Sequence, residues 1–323
     1  MDRKQCRSVG RKQYVSHLGF RMRTALSQVM IFGIIIAAFC ILAMGVSANV
    51  TEGEVTVIDA LGREVKLELP IETIVSIAPS NTEILFALGL GDRVVGVTEA
   101  CDYPKEAKSK PKVGQVEMNI EKIMEISPDL VVAVGSMQLP VIETLSNLGI
   151  PVLALDPKTL RDVLDSIVLV GKATGTEDAA ELLVQSLSNE IQGVRSKAAL
   201  AVTKQARPRV FVEIWDDPLM TAGPGTFIDE LIKVAGGENI AGDAGLEWPE
   251  FSVEVVIERD PDVIITVWTD KDDVLGRSAW KGISACKTRR IHRVNPDILT
   301  RPGPRLVQGL EVLLDIMHPG SHD

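Results

Sequence analysis

At 323 residues, with 24% of side chains charged and a formal net charge of −10, the chain is long enough for two domains of ordinary size. Its acidity disfavours nucleic acid and anionic membrane surfaces as partners. Four cysteines in this length do not make a disulfide framework, and Cys101 and Cys286, the two beyond residue 48, are read as buried free thiols.

Residues 1–48 read as a targeting segment. Arg3, Lys4, Arg7, Arg11, Lys12, Arg21 and Arg23 form a basic leader, Val29 to Val46 runs 18 residues without a charge, and Val46-Ser47-Ala48 is a small-residue cleavage signal. A run of that length suits a cleaved signal peptide and a retained N-terminal membrane anchor alike, and either places the body outside the cytoplasm. Bulky Phe39 before Cys40 speaks against a lipid-modified cysteine. Without the leader's seven cations and its single acid, Asp2, the net charge of −10 becomes −16.

Val55–Asp59 and Glu64–Leu67 form the first expected hairpin, turning near Leu61-Gly62. Thr73–Ala78 reads as a strand, followed by a tight loop at Ser80–Glu83 that caps a helix stopped by Gly89. Strands at Val94–Val97, Leu130–Val134 and Val152–Leu155 alternate with helices at Ile120–Ile126 and Val141–Leu148. Such alternation predicts a parallel, helix-covered sheet in an N-terminal lobe spanning 49–157.

A linker of helices follows over 158–206. Leu160–Ala173 is broken at Gly175. Thr176 then caps a long helix with Leu183, Leu187, Ile191, Val194 and Ala198 on one stripe. That helix would be roughly 40 Å long, stiff enough to limit lobe motion. The second lobe, 207–323, repeats the pattern: strands at Arg209–Ile214, Val263–Val267 and Ile291–Val294, helices capped by Thr226 and Ser252, and a terminal helix Pro304–Met317.

A repeat unites the halves. Asn119–Val134 (NIEKIMEISPDLVVAV) and Ser252–Val267 (SVEVVIERDPDVIITV) lie 133 residues apart and align Glu121 with Glu254, Glu125 with Glu258, Pro128 with Pro261 and Asp129 with Asp262. One α/β unit is therefore built twice, as two Rossmann-like lobes with parallel-rich sheets joined by one long rigid helix, and the groove between them is the natural ligand site.

Catalytic constellations are scarce. Beyond the leader only His292, His318 and His322 remain, the last two in an expected tail, and no His, Asp or Glu cluster has metal-ligand spacing. Gly89-Leu90-Gly91 and Gly223-Pro224-Gly225 are turn residues rather than dinucleotide fingerprints. The arginines at 289, 290 and 293 read as a solvated surface.

The segments IVSIAPSNTEILFALGLG (Ile74–Gly91), DYP (Asp102–Pro104), MNIE (Met118–Glu121), GGENI (Gly236–Ile240) and WPEFSVE (Trp248–Glu254) resemble the substrate-binding proteins of ABC importers for vitamin B12, within a wider group that carries ferric siderophores and haem. The similarity runs from Ile71 to Met317. It implies a non-enzymatic monomer without a cofactor, working with an ABC permease and its ATPase. It also implies that Glu121 and Glu254 dock to permease arginines, although both occupy first helical turns where a carboxylate is favoured anyway. By the same likeness Tyr103 and Trp248 sandwich a corrin and Asp297 meets its amides. Where relatives carry further aromatics this chain has Gln115, Val134 and Met220. Trp215 and Trp268, after strands, are candidates to compensate, with core packing the other reading, and Trp280 reads as structural. A corrinoid is large, amphipathic and nearly neutral, whereas a ferric catecholate would want several arginines, and only Arg301 and Arg305 lie near the cleft loops. Haem or siderophore capture, a membrane-anchored sensor, and a metal-cluster oxidoreductase component are the alternatives. The last needs clustered Cys or His ligands.

Overall fold

The computed structural model describes residues 53–320, so the leader reading of residues 1–48 lies outside the described residues. The chain begins with an antiparallel hairpin of β1 (Gly53–Ile58) and β2 (Glu64–Leu69). Val65 and Leu67 point inward between exposed Glu64, Lys66 and Glu68, the period-2 pattern of a half-buried strand. Then follow β3 (Ile74–Ser76), α1 (Pro79–Ala87), β4 (Val94–Val97), α2 (Ile120–Ile126), β5 (Leu130–Val134), α3 (Leu139–Asn147) and β6 (Val152–Leu155). Strands pair in the order β4-β3-β5-β6, all parallel, and their near-continuous Val, Ile and Leu reflect burial on both faces.

One boundary differs from the sequence reading. Ser80–Glu83 is not a capping loop: α1 starts at Pro79, Ala78 is the extended residue before it, and Ser80 to Glu83 are buried in the helix. Proline at the first helical position supplies the preset φ and has no N–H to leave unpaired.

Helices α4 (Leu160–Thr174) and α5 (Glu177–Lys204) lead to the second lobe. A reciprocal Thr159–Asp162 capping box starts α4, and Gly175 at φ 68° ends it. The 28 residues of α5 rise about 42 Å at 1.5 Å per residue. Thr176 holds the position before α5, but its side chain caps nothing; its hydroxyl lies 2.9 Å from that of Thr174.

The second lobe comprises β7 (Arg209–Asp216), β8 (Leu219–Thr221), α6 (Phe227–Val234), β9 (Glu238–Asn239), α7 (Val253–Arg259), β10 (Val263–Thr266), α8 (Lys271–Gly276), α9 (Ser284–Lys287), β11 (Ile291–Arg293), α10 (Pro296–Thr300) and α11 (Leu306–Met317). Its sheet runs β11-β10-β7-β8 with β9 also on β7, and only β8 is antiparallel.

The repeat has a physical cause in both lobes. Asn119 and Ser252 cap α2 and α7 by accepting the backbone N–H of Lys122 and Val255. Each helix ends on a left-handed residue, Ser127 at φ 49° and Asp260 at φ 35°. The aspartate of each Pro-Asp pair then fastens the start of its strand to the neighbouring one. Asp129 accepts the Thr73 N–H at 2.8 Å and Asp262 the Arg209 N–H at 2.8 Å.

The largest apolar core crosses the lobe boundary. It joins Leu85, Leu130 and Leu153 through Leu187, Ile191, Val194 and Ala198 of α5 to Val210, Leu231 and Leu310. Leu183, on the same stripe, is only partly buried. Smaller cores line the outer faces. Cys101 and Cys286 are free and buried in different cores. His318 is not in a tail but fully buried, with Gln205 at 2.9 Å and the Gly236 carbonyl at 3.3 Å. Nor are all the strand-edge arginines solvated, since Arg290 donates to the Ile316 and Met317 carbonyls.

Candidate functional site

Segments following the strands of both lobes converge on a cavity of about 360 Å3. The first lobe supplies Ser80 after β3, Val134 at the end of β5 and Ser136 after it, and Asp156 with Lys158 after β6. The second supplies Thr226 and Phe227 at the start of α6, Trp248, and Leu299, Thr300 and Pro302 around the end of α10. Ligands of parallel α/β sheets bind at such carboxyl-end crevices.

Trp248 is fixed through its neighbours. Gly223 donates to the Glu247 carbonyl at 2.7 Å and Thr221 to the Pro249 carbonyl at 3.1 Å, so the segment carrying Trp248 runs against the end of β8. Gly223 has to be glycine there: a Cβ would stand 2.1 Å from the Leu246 carbonyl oxygen. The indole remains 47% exposed and lines the cavity.

Beside the cavity an ionic network joins the lobes. Glu83, on α1 and 3% exposed, accepts from Arg305 Nε at 2.9 Å and Nη2 at 2.6 Å. Arg301 contacts Asp102 at 2.7 Å, Asp297 at 2.8 Å and Glu83 at 3.6 Å. Asp297 also lies 3.8 Å from Arg305. The Arg305 guanidinium lies over the Tyr103 ring, 4.0 Å from its centroid, within cation–π range. Burial alone would raise the Asp102 carboxyl, but the Arg301 hydrogen bond and charge outweigh it and hold that carboxyl below its ordinary value. The hydrogen bond to Glu83 pushes Arg305 further above its already high value. Three carboxylates thus surround two guanidiniums. Among the described residues the one cation lining the cavity, Lys158, lies 3.6 Å from Asp156.

The sequence-predicted residues divide accordingly. Trp248 and Val134 line the cavity. Tyr103, Asp297 and Arg301 meet in the adjacent network, where Asp297 and Arg301 are engaged with each other instead of standing free for a ligand. Trp215 and Met220 oppose one another across β7 and β8, and the Trp215 indole donates to the Asp217 carbonyl. Trp268 follows β10. At 51% and 54% exposure Trp215 and Trp268 are not core residues, yet neither lines the cavity, and neither do Met220 and Gln115. Buried Glu213 bonds Arg277 and the Thr269 hydroxyl, which anchors the loop carrying Trp268. Trp280 is buried edge-on to Phe211, a structural residue. The pairing of Glu83 with Arg305 and of Asp102 with Arg301 has no signal in the sequence, although the motif Ile74–Gly91, the DYP of residues 102–104 and the RPGPR of residues 301–305 contain the residues. Glu121 and Glu254 are exposed in the first turns of α2 and α7. The Glu254 carboxyl is held below its ordinary value by its own backbone N–H and the Ser252 hydroxyl. Among the described residues no group of three or more His, Cys, Asp or Glu side chains is placed to hold a metal ion.

Two α/β lobes sharing one core, with a cavity between their strand ends, define a two-lobe binding protein. Residues 74–298 match the family described as periplasmic binding protein, and the chain belongs to that family. It is 38% identical over 273 residues to the uncharacterized ABC transporter substrate-binding lipoprotein YvrC of Bacillus subtilis, covering 83% of this chain and 86% of that one. The periplasmic vitamin B12 binding protein BtuF of Vibrio cholerae is 28% identical with a TM-score of 0.69, over 79% of this chain and 99% of that one. The apo periplasmic heme-binding protein RhuT from Roseiflexus is 30% identical with a TM-score of 0.69, over 78% of this chain and all of that one.

Proposed function

We propose that this chain is the extracytoplasmic substrate-binding component of an ABC importer, that it captures a corrinoid of the vitamin B12 kind, and that it hands it to a permease and ATPase without chemistry of its own. The class rests on the family and on the naming of its relatives. The ligand rests on one observation: each cation at the cleft, Arg301, Arg305 and Lys158, already has a carboxylate partner. A ferric catecholate or the propionates of haem would have to displace one of them, whereas a nearly neutral corrinoid needs flat aromatic faces and a few polar groups. Trp248 and Tyr103 supply such faces on this reading.

The continuous core and α5 support a preformed cleft with small lobe motions, release then being driven by the transporter. Glu121 and Glu254 serve as the two docking prongs for the permease. Titrating the purified protein with cyanocobalamin tests the assignment, with micromolar or tighter binding expected. Clear binding of hemin or a ferric siderophore with no response to cyanocobalamin would overturn it.

A further inference from the structure

We propose that Arg305, oriented by Glu83, is a positioning residue for the ligand: it presets the Tyr103 ring from the opposite lobe, a role that rests on the corrinoid reading above. Arg305 has little freedom. Both Glu83 oxygens are taken by its fork, at 2.9 and 2.6 Å, and Glu83 is buried. A bidentate carboxylate fixes a guanidinium in plane as well as in place. That plane lies 4.0 Å from the centroid of Tyr103, whose ring makes no aromatic–aromatic contact among the described residues. The ring stays 43% exposed. One face is covered by a guanidinium and the other is the face a flat ligand can use.

Two consequences follow from the connectivity. Tyr103 sits in the first lobe, after β4, while Arg305 precedes α11 in the second. The ring is therefore aligned only while the lobes are docked, and the immobilisation a free ring would undergo on binding is met at folding instead. Separation of the lobes by a transporter would free the ring together with the fork, so one event loosens both the lobe contact and the ligand's stacking partner. Arg301 braces the same loop by holding Asp102, next to Tyr103, at 2.7 Å.

The full chain contains two tyrosines, Tyr14 and Tyr103, so ring-labelled tyrosine gives two NMR signals, and Tyr103→Phe assigns the one of interest. Glu83→Gln breaks the charged fork without altering Tyr103. It is expected to shift the Tyr103 ring signal in the ligand-free protein and to weaken cyanocobalamin binding roughly tenfold. Arg305→Lys keeps the charge but loses the planar fork, and should shift the same signal. It serves as the second variant where Glu83→Gln does not fold. In a Tyr103→Leu background, Glu83→Gln should change affinity by less than about twofold, the non-additivity expected of residues acting through one another. A purely structural bridge predicts equal losses in both backgrounds and an unmoved ring signal, and either result in folded variants overturns the proposal. If the unmodified chain does not bind cyanocobalamin, the corrinoid assignment fails, and the ligand-free ring signal still decides this one.

Discussion

Glu83 and Arg305 stand 222 residues apart and meet in a two-bond fork across the boundary between two sheets that share no strand. Removing Glu83 takes both bonds of the fork from a largely buried guanidinium and leaves Arg305 with Asp297 at 3.8 Å, a loss of about 3 kcal/mol. Glu83→Ala should therefore lower the melting temperature by roughly 10 °C. The exposed Arg161–Asp165 pair on α4 supplies the control: Arg161→Ala should cost less than about 1 kcal/mol. Parallel thermal melts read both, and equal effects would mean that the fork contributes no more than a surface pair.

Acid sensitivity should begin at a histidine. Burial holds His318 below the ordinary histidine value, aided by the charges of Arg290 and Arg207. The hydrogen bond to the Gly236 carbonyl works the other way, and burial outweighs it. Burial likewise depresses His292. With a lowered folded-state pKa, the unfolded chain binds the proton first. Each contribution to stability is complete above the unfolded value of about 6.5 and is lost as pH falls through the folded value, at up to about 1.4 kcal/mol per pH unit per group. Denaturant melts from pH 7.5 to 5 should show this decline, and His318→Gln should flatten it. An unchanged slope would place His318's titration outside that window.

Much of this architecture is legible in the sequence because it is local. The helix Ile120–Ile126, the caps at Thr226 and Ser252, and the stripe on α5 follow from periodicity and from side chains that satisfy nearby N–H groups. The start of α1 was misplaced because Ser, Asn and Thr favour caps, and Pro79 at the first helical position outranked them. The ionic network was hidden for another reason. Which carboxylate meets Arg305 depends on how two lobes dock, and hydrophobic pattern carries no such information. The tryptophans divide on the same ground: Trp215, Trp248 and Trp268 look alike in sequence, and only the backbone bonds at Gly223 and Thr221 bring Trp248 against the cavity.

That division is measurable. Trp248→Ala removes a cavity-lining ring and should weaken cyanocobalamin binding by at least about 2 kcal/mol, roughly thirtyfold. Trp268→Ala, away from the lining, should change affinity by less than about threefold. Equal losses in calorimetric titrations would extend the binding surface across the carboxyl ends of the second sheet's strands.

Docking separates from capture in a double variant. Glu121 and Glu254 are exposed and outside the cavity lining, so Glu121→Lys with Glu254→Lys should leave ligand affinity within about twofold while abolishing uptake in a transport assay. Normal uptake would return both residues to the simpler role of favourable first-turn carboxylates.

The last prediction concerns selectivity by charge. Arg301 is masked by Asp102 at 2.7 Å and Asp297 at 2.8 Å, with Glu83 more distant at 3.6 Å and already held by Arg305. Asp102→Asn with Asp297→Asn removes two charges while keeping the side-chain shapes, leaving one carboxylate to two guanidiniums. The cleft rim changes from net negative to net positive, and an anionic ligand then meets an unmatched cation instead of a surplus carboxylate. Affinity for hemin should rise about tenfold or more, while cyanocobalamin, which offers no carboxylate to the freed arginine, should change far less. Competitive titration of the two ligands measures the shift. Unchanged hemin affinity in a folded double variant would show that the paired arginines do not set the preference, and that cleft shape alone selects the ligand.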